Sequence, residues 1–342
     1  MEAMKKQRYL YFDVMNILAC FAVVAAHHNN QLHSYADTFG WRFSLGVECL
    51  VYWAVPVFLM VSGATLMGFH QRCSLKEYFR RRFLRTVIPW LLWSAVLLVW
   101  KLKTGQIAGG EGPVHYLRQI LSNQVEGIYW FFGTLFGCYL LIPLLTWLTP
   151  HRKALWYAVV CIFLLSLFQP LLARYAPISD DGITALRNSL IIYILLGYLL
   201  NTAQLSKKQR IWLYIAGIFC VLMRFGVTWV LSAQNQATSL AVRGTKMCNT
   251  IVCASAVFVF LKHVDWERIL PAFLRKALPG LAGCSFGGYL LHKVVMYYEQ
   301  QLLGLTLLDM VYKTLWIPIT YLICIAIIWL LKKIPFVGKY IC

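Results

Sequence analysis

The stretch Tyr9-Leu-Tyr-Phe-Asp13-Val-Met-Asn16-Ile-Leu-Ala-Cys20-Phe-Ala-Val-Val-Ala-Ala-His27-His28-Asn29-Asn30 decides the fold. A helix needs about 20 mostly apolar residues to cross the hydrocarbon of a bilayer, and this run supplies them. It nevertheless carries Asp13, Asn16, Cys20 and His27. At about 100° per residue those four fall within roughly 60° of one another and make one polar stripe. An unpartnered polar group is costly in hydrocarbon, so the stripe must face protein or a wet cavity rather than lipid. The same run, preceded by Lys5, Lys6 and Arg8, has a rival reading as a signal peptide, with Ile17-Leu-Ala-Cys20 faintly like a lipoprotein cleavage site. Asp13 and Asn16 would interrupt the apolar core that such a peptide requires.

The remainder of the chain is equally apolar. Of its 342 residues 60% are hydrophobic and 13% charged, with mean hydropathy +0.64. An ordinary soluble domain has about 45–50% apolar residues, so that class is excluded and an all-α polytopic membrane protein is expected. A net charge of +19 would point to nucleic acid in a soluble protein. Here the collection of Lys and Arg on the cytoplasmic side accounts for most of it, and no nucleic-acid partner is expected. The eleven cysteines lie mainly in apolar runs without C-x-x-C spacing, which indicates packing residues and neither a disulfide framework nor a metal site.

Hydropathy gives ten candidate spans, at roughly 9–28, 47–69, 86–102, 128–148, 154–173, 187–201, 211–231, 248–263, 283–303 and 313–332. Alternating sides along the chain puts Lys5, Lys6 and Arg8, the arginines of 72–85, Arg152 and Lys153, Lys207, Lys208 and Arg210, the cations of 262–276, and Lys332, Lys333 and Lys339 together. This larger share marks the cytoplasmic side and places both termini there, in a single integral membrane domain over 1–342. The longest loop, 103–127, reads as a Gly-rich outer segment ending near Glu126. No internal repeat is visible, so the inverted halves of many transporters are not supported.

With the N-terminus inside, His27 lies about 21 Å beyond Asp13, at the external mouth of the first helix. A neutral imidazole there is suited to take a proton from a hydroxyl, although a histidine at a helix end also serves simply as an interfacial residue. Glu48 opens the second span at the same outer level, where it would either orient that imidazole or stand as an exposed interfacial carboxylate. Pro56-Val-Phe-Leu-Met-Val-Ser-Gly63 supplies a kink and a small-residue packing site. Ser74 and Glu77 have capping-box spacing and start a helix leading into the third span. On it Arg82 and Arg85 share a face, as do Arg81 and Arg85. Such a face can hold the phosphates of a nucleotide-bearing donor such as coenzyme A, or merely anchor topology and anionic lipid. Tyr129 and Trp130 fit an interfacial aromatic belt. Arg224 and His292-Lys293 lie inside spans and do not belong in lipid, so each is a functional candidate or part of a structural network.

Asp13 with His27 fourteen positions on, Val55-Pro-Val-Phe-Leu-Met-Val-Ser-Gly63, Arg82-Phe-Leu-Arg85 before Pro89-Trp90, Tyr129-Trp130-Phe131, Leu196-Gly-Tyr198 and Ser285-Phe-Gly-Gly-Tyr-Leu-Leu-His292 occur in this order. Together they resemble the acyltransferase 3 family of membrane O-acyltransferases over essentially the whole chain. The resemblance implies about ten spans, a cytoplasmic acyl-CoA donor, usually acetyl-CoA, and a hydroxyl acceptor on an extracytoplasmic or lipid-linked carbohydrate. It implies that His27 is the catalytic histidine and that Arg82 and Arg85 handle the donor. Two positions depart from the family pattern: Asn16 stands where an arginine is common, and Ile128 where a histidine often precedes the Trp of the fourth helix.

The expectation is therefore an acyl-CoA-dependent O-acetyltransferase of the bacterial cytoplasmic membrane acting on cell-surface polysaccharide. His27, Glu48 and Asp13 form its catalytic set, and Arg82, Arg85 and Arg81 bind the donor. Asn16, Tyr129, Trp130, Arg224 and His292 contact substrate, with Tyr129, Trp130 or Arg224 polarising the thioester oxygen. The alternative is a small-solute or lipid-linked-sugar transporter using the same cavity without covalent chemistry.

Overall fold

The computed structural model describes residues 9–110, 112–175, 190–335 and 337–341. Among them the chain is helical throughout, with no strand. The main helices are α1 (Leu10–His28), α2 (Phe39–Val51), α3 (Ala54–Leu66), α4 (Leu75–Arg82), α5 (Ile88–Lys103), α6 (Gly112–Leu121) and α7 (Trp130–Trp147). They continue as α8 (Arg152–Tyr175), α9 (Ile191–Thr202), α10 (Lys207–Asn235), α11 (Cys248–His263), α12 (Ala272–Leu303) and α13 (Trp316–Lys332). Among the described residues five helical runs are long and apolar enough to cross a membrane: Leu10–His28, Phe39–Gln71, Leu75–Lys103, Gly127–Trp147 and Lys207–Asn235. The shorter α9, α11 and α13 are apolar as well. Leu140, Leu144 and Trp147 on α7, and Ile218, Phe219 and Leu222 on α10, stand exposed, as surfaces meeting hydrocarbon do. The chain is thus an all-α polytopic membrane protein.

α1 sits in the middle of the bundle, packed against α3, α12 and α13, and α3 in turn packs on α9. The crossing of α3 and α9 is made by glycines. A Cβ on Gly63 would collide with the Ile194 carbonyl, and one on Gly197 with the Met60 carbonyl, so the two backbones touch where side chains would normally separate them. Lys262 closes the far end of α9: its Nζ donates to the carbonyls of Leu200 at 2.9 Å, Asn201 at 2.7 Å and Ala203 at 3.1 Å. These are carbonyls the helix itself cannot satisfy, and a cation suits its negative end.

Several elements differ from the hydropathy reading. The span expected at 47–69 is two helices in one 33-residue run, broken at Tyr52 and Trp53 just before Pro56. The third span begins earlier, because α4 continues into α5 through a wide π-helical turn at Phe83–Val87, where the Ile88 N–H bonds to the Phe83 carbonyl. Pro89 cannot donate to the turn before it, and a widened turn accommodates that loss. Ser74 caps α4 by accepting from the Glu77 N–H at 3.3 Å. The Glu77 carboxylate turns to Arg80 and Arg81, each at 2.6 Å, instead of back to the cap. The 103–127 loop contains α6, anchored by Lys101, which reaches Glu126 at 2.8 Å and the Val125 carbonyl at 2.7 Å. The segment expected at 283–303 extends back to Ala272, making α12 32 residues long. Residues 187–189, with Arg187, and the basic Lys5, Lys6 and Arg8 lie outside the described residues.

Candidate functional site

The π-helical turn sets the direction of the arginines. Arg80, Arg81, Arg82 and Arg85, with Lys332 from the end of α13, cluster in the lining of a cavity of about 970 Å³, with Glu77 the one carboxylate among its described lining side chains. Five cations against one anion make this part of the lining strongly positive. Arg80 and Arg81 are held by Glu77. Arg82 is different: its guanidinium lies 5.6 Å from the centre of the Tyr139 ring, and its Nε is buried without a hydrogen-bond partner. The cavity is lined as well by Asn16, Ser62 and Thr65, by the apolar Phe58, Phe131, Leu135 and Phe286, and by Tyr289. Such a lining suits a long ligand with an anionic head and a slender, mostly apolar arm.

One turn beyond Tyr289 lies His292, fully buried on α12. Its ring sits 5.1 Å, centre to centre, from that of His27. His292 Nδ1 lies 2.7 Å from the Tyr289 carbonyl, and a carbonyl only accepts, so Nδ1 carries the proton and Nε2 presents a lone pair. That Nε2 and His27 Nδ1 are both buried without partners. Leaving such nitrogens unpaired costs about 1–3 kcal/mol each, a penalty that a bound polar group would relieve. The polar stripe of α1 faces this region. Cys20 Sγ donates to the Ser285 carbonyl at 3.2 Å, Asn16 lines the cavity and Asp13 is buried. Asp13 and His27 are separated by about 21 Å of helix, so they cannot share one reacting centre.

His28, one residue on, is built into a separate network. Its Nδ1 lies 3.0 Å from the Tyr312 carbonyl and its Nε2 2.8 Å from Thr320 Oγ1, which also meets Glu299. Glu48 likewise has other partners than the expected ones. It accepts from Arg224 Nη2 at 2.9 Å and Nε at 3.3 Å, and from Arg243 Nη2 at 3.2 Å. Among the described residues no hydrogen bond or ion pair joins Glu48 to His27. Arg224 is fully engaged, with Nη1 on Thr250 Oγ1 at 3.2 Å and its guanidinium 3.7 Å from the centre of the Tyr52 ring. All three of its nitrogens are thus committed to Glu48 and Thr250 rather than directed at the His27–His292 pair.

Tyr129 is not a belt residue: it is buried and donates its hydroxyl to the Leu290 carbonyl at 3.0 Å, tying α7 to α12. Trp130 beside it is 44% exposed. The structure therefore brings together Arg82, Arg85, Arg81 and Asn16 around the cavity, and His27 with His292 one helical turn beyond its Tyr289 wall. Glu48 and Arg224 form another cluster. Sequence reasoning counted Lys332 and Arg243 only as topology charges. The Tyr289–His292 spacing within the motif of α12 was the available sign that both face the same space.

A family described as "Acyltransferase domain" matches residues 9–332. The nodulation protein NolL of Mesorhizobium japonicum is 27% identical over 216 residues, which is 63% of this chain and 54% of that protein. The chain thus spans about half the length of the curated relative that it matches. No solved structure shows a significant match. With the family match extending from the start of α1 to the end of α13, the chain belongs to the acyltransferase 3 family of membrane proteins.

Proposed function

We propose that this chain is a membrane O-acyltransferase, moving an acyl group, in the simplest case acetyl, from cytoplasmic acyl-CoA to a hydroxyl of an extracytoplasmic or lipid-linked carbohydrate. One observation carries the reading: a cavity lined by a cluster of arginines is also lined by Tyr289, a single turn of its helix from His292, whose ring pairs with that of His27. The donor's phosphates bind Arg82, Arg85 and Lys332, where planar guanidinium groups give bidentate contacts. Its arm lies among Phe58, Phe131, Leu135 and Phe286 and delivers the thioester toward His27.

His27 takes the proton of the acceptor hydroxyl as that oxygen attacks the thioester carbonyl carbon. The C–S bond then breaks, the acyl group stays on the acceptor oxygen, and the departing CoA sulfur takes the proton back from His27. The imidazole ends the cycle neutral. His292, with its Nε2 lone pair directed into the site, accepts a hydrogen bond from the acceptor and fixes its approach.

Isotope-labelled acetyl-CoA tests the reading. The full chain in membranes releases free CoA and labels a carbohydrate, and His27→Ala stops both while retaining CoA binding. Transport of a solute without CoA release would sink the proposal, and undiminished transfer by His27→Ala would sink the assigned base.

A further inference from the structure

The Glu48 cluster is short of one negative charge. Arg224, Glu48 and Arg243 have side chains only 4, 7 and 7% exposed, so two cations and one anion share a site nearly closed to water. Glu48 Oε1 already accepts from both guanidinium groups, and Oε2 from Arg224 Nε. Each nitrogen of Arg224 has a partner, whereas Arg243 Nη1 is buried with none. An uncompensated guanidinium out of water is unfavourable unless an anion completes it.

Its surroundings tie this vacancy in charge to the segment that follows α1 and His27. Arg243 belongs to the connection between α10 and α11, which lies over the outer end of the bundle. Thr238 there donates to the Leu32 carbonyl at 2.7 Å, just after α1. His33, next in the chain, lies within electrostatic reach of His27 on one side and of Arg243 and Glu48 on the other. Partial desolvation, with the Arg243 charge nearby, keeps the His33 imidazole below its usual pKa, so at neutral pH it adds no third cation. Gly244 follows Arg243 at φ +146°, a conformation that leaves this turn to glycine.

We infer that Arg243 Nη1 is an anion-binding position for the acceptor, which carries a carboxylate or phosphate group read there while its hydroxyl is presented to His27. The inference rests on the acyltransferase reading and names the chemical class of its acceptor: an acidic sugar or a sugar phosphate, rather than a neutral glycan. Arg243 is on this view a specificity residue, supported by Glu48 and Arg224.

The test uses the full chain in phosphatidylcholine nanodiscs and two probes that differ by a carboxylate, octyl β-glucoside and octyl β-glucuronide, below their micelle-forming concentrations. The wild type binds the glucuronide about tenfold tighter, the factor one charge-assisted contact supplies. Arg243→Gln loses that preference, and Arg243→Lys, which keeps charge but not the fork, retains part of it. If the glutamine variant does not fold, a reduced preference in the lysine variant supports the inference and an unchanged one overturns it. Equal binding of the two probes by wild type, or a preference surviving in Arg243→Gln, overturns it too. Replacing phosphatidylcholine with phosphatidylglycerol separates the sources of the anion: loss of the glucuronide preference in that lipid assigns the position to a headgroup and refutes the acceptor assignment. None of these measurements reads acyl transfer, so a failure here and a failure of the enzyme reading are told apart.

Discussion

Arg82→Ala removes the guanidinium of the cavity mouth whose Nε has no partner within the protein. A charge-assisted hydrogen bond contributes about 1.5–3 kcal/mol, and because Arg82 is only partly buried the lower end applies, about tenfold in the Kd for CoA. Arg85 is exposed, so solvent and salt screen it, and Arg85→Ala weakens CoA binding by only about two- to threefold. Arg80 is already held by Glu77, and Arg80→Ala leaves CoA affinity nearly unchanged. Arg82→Lys restores the charge without the planar fork and recovers part of the loss. Calorimetric titration of CoA into the full chain in nanodiscs, at low and high salt, measures all four. The order Arg82, then Arg85, then Arg80 is the expected result, with the differences shrinking as salt rises. Equal affinity of wild type and Arg82→Ala, or a loss from Arg80→Ala as large as from Arg82→Ala, refutes the donor-site reasoning.

Glu48→Gln leaves two buried guanidinium groups without their anion and lowers stability by about 3–5 kcal/mol, read as a fall in the thermal midpoint. If the variant unfolds normally yet loses acyl transfer, Glu48 has a chemical role that its contacts do not indicate. Gly63→Leu and Gly197→Leu each force the α3 and α9 backbones apart; overpacking of this kind costs about 1–3 kcal/mol or more, visible as a shortened half-life in detergent. Tyr129→Phe leaves the Leu290 carbonyl without its donor, destabilises the protein by about 1 kcal/mol, and leaves the affinity for CoA unchanged. A selective loss of CoA affinity instead would move Tyr129 from scaffold to site.

The stripe on α1 was legible because helical periodicity acts within one segment: Asp13, Asn16, Cys20 and His27 needed only their spacing to be placed on one face. What lay opposite that face was not legible. His292 meets His27 from the other end of the chain, and the partners of Glu48 lie 176 and 195 residues away. Nothing local announces such pairings. Tyr129 reads as an interfacial aromatic in isolation and becomes a buried strut only because α12 covers it. The break at Tyr52 and Trp53 falls inside a run that stays apolar, so hydropathy passes over it. α6 shows the reverse case: Val114, Leu117 and Leu121 recur at helical spacing inside a loop read mainly for its glycines.

The turn at Phe83–Val87 holds one residue more than an α-helical turn would, and this makes it a phase shifter. An added residue rotates everything before it by about 100° relative to everything after it. The arginine-bearing α4 and the membrane-crossing α5 are therefore indexed independently. α5 can keep its register against lipid and neighbours while the basic face ahead of it is aimed at the cavity. Deleting Leu84 from this turn would leave every cation present in the sequence and point the cluster away from the ligand it serves.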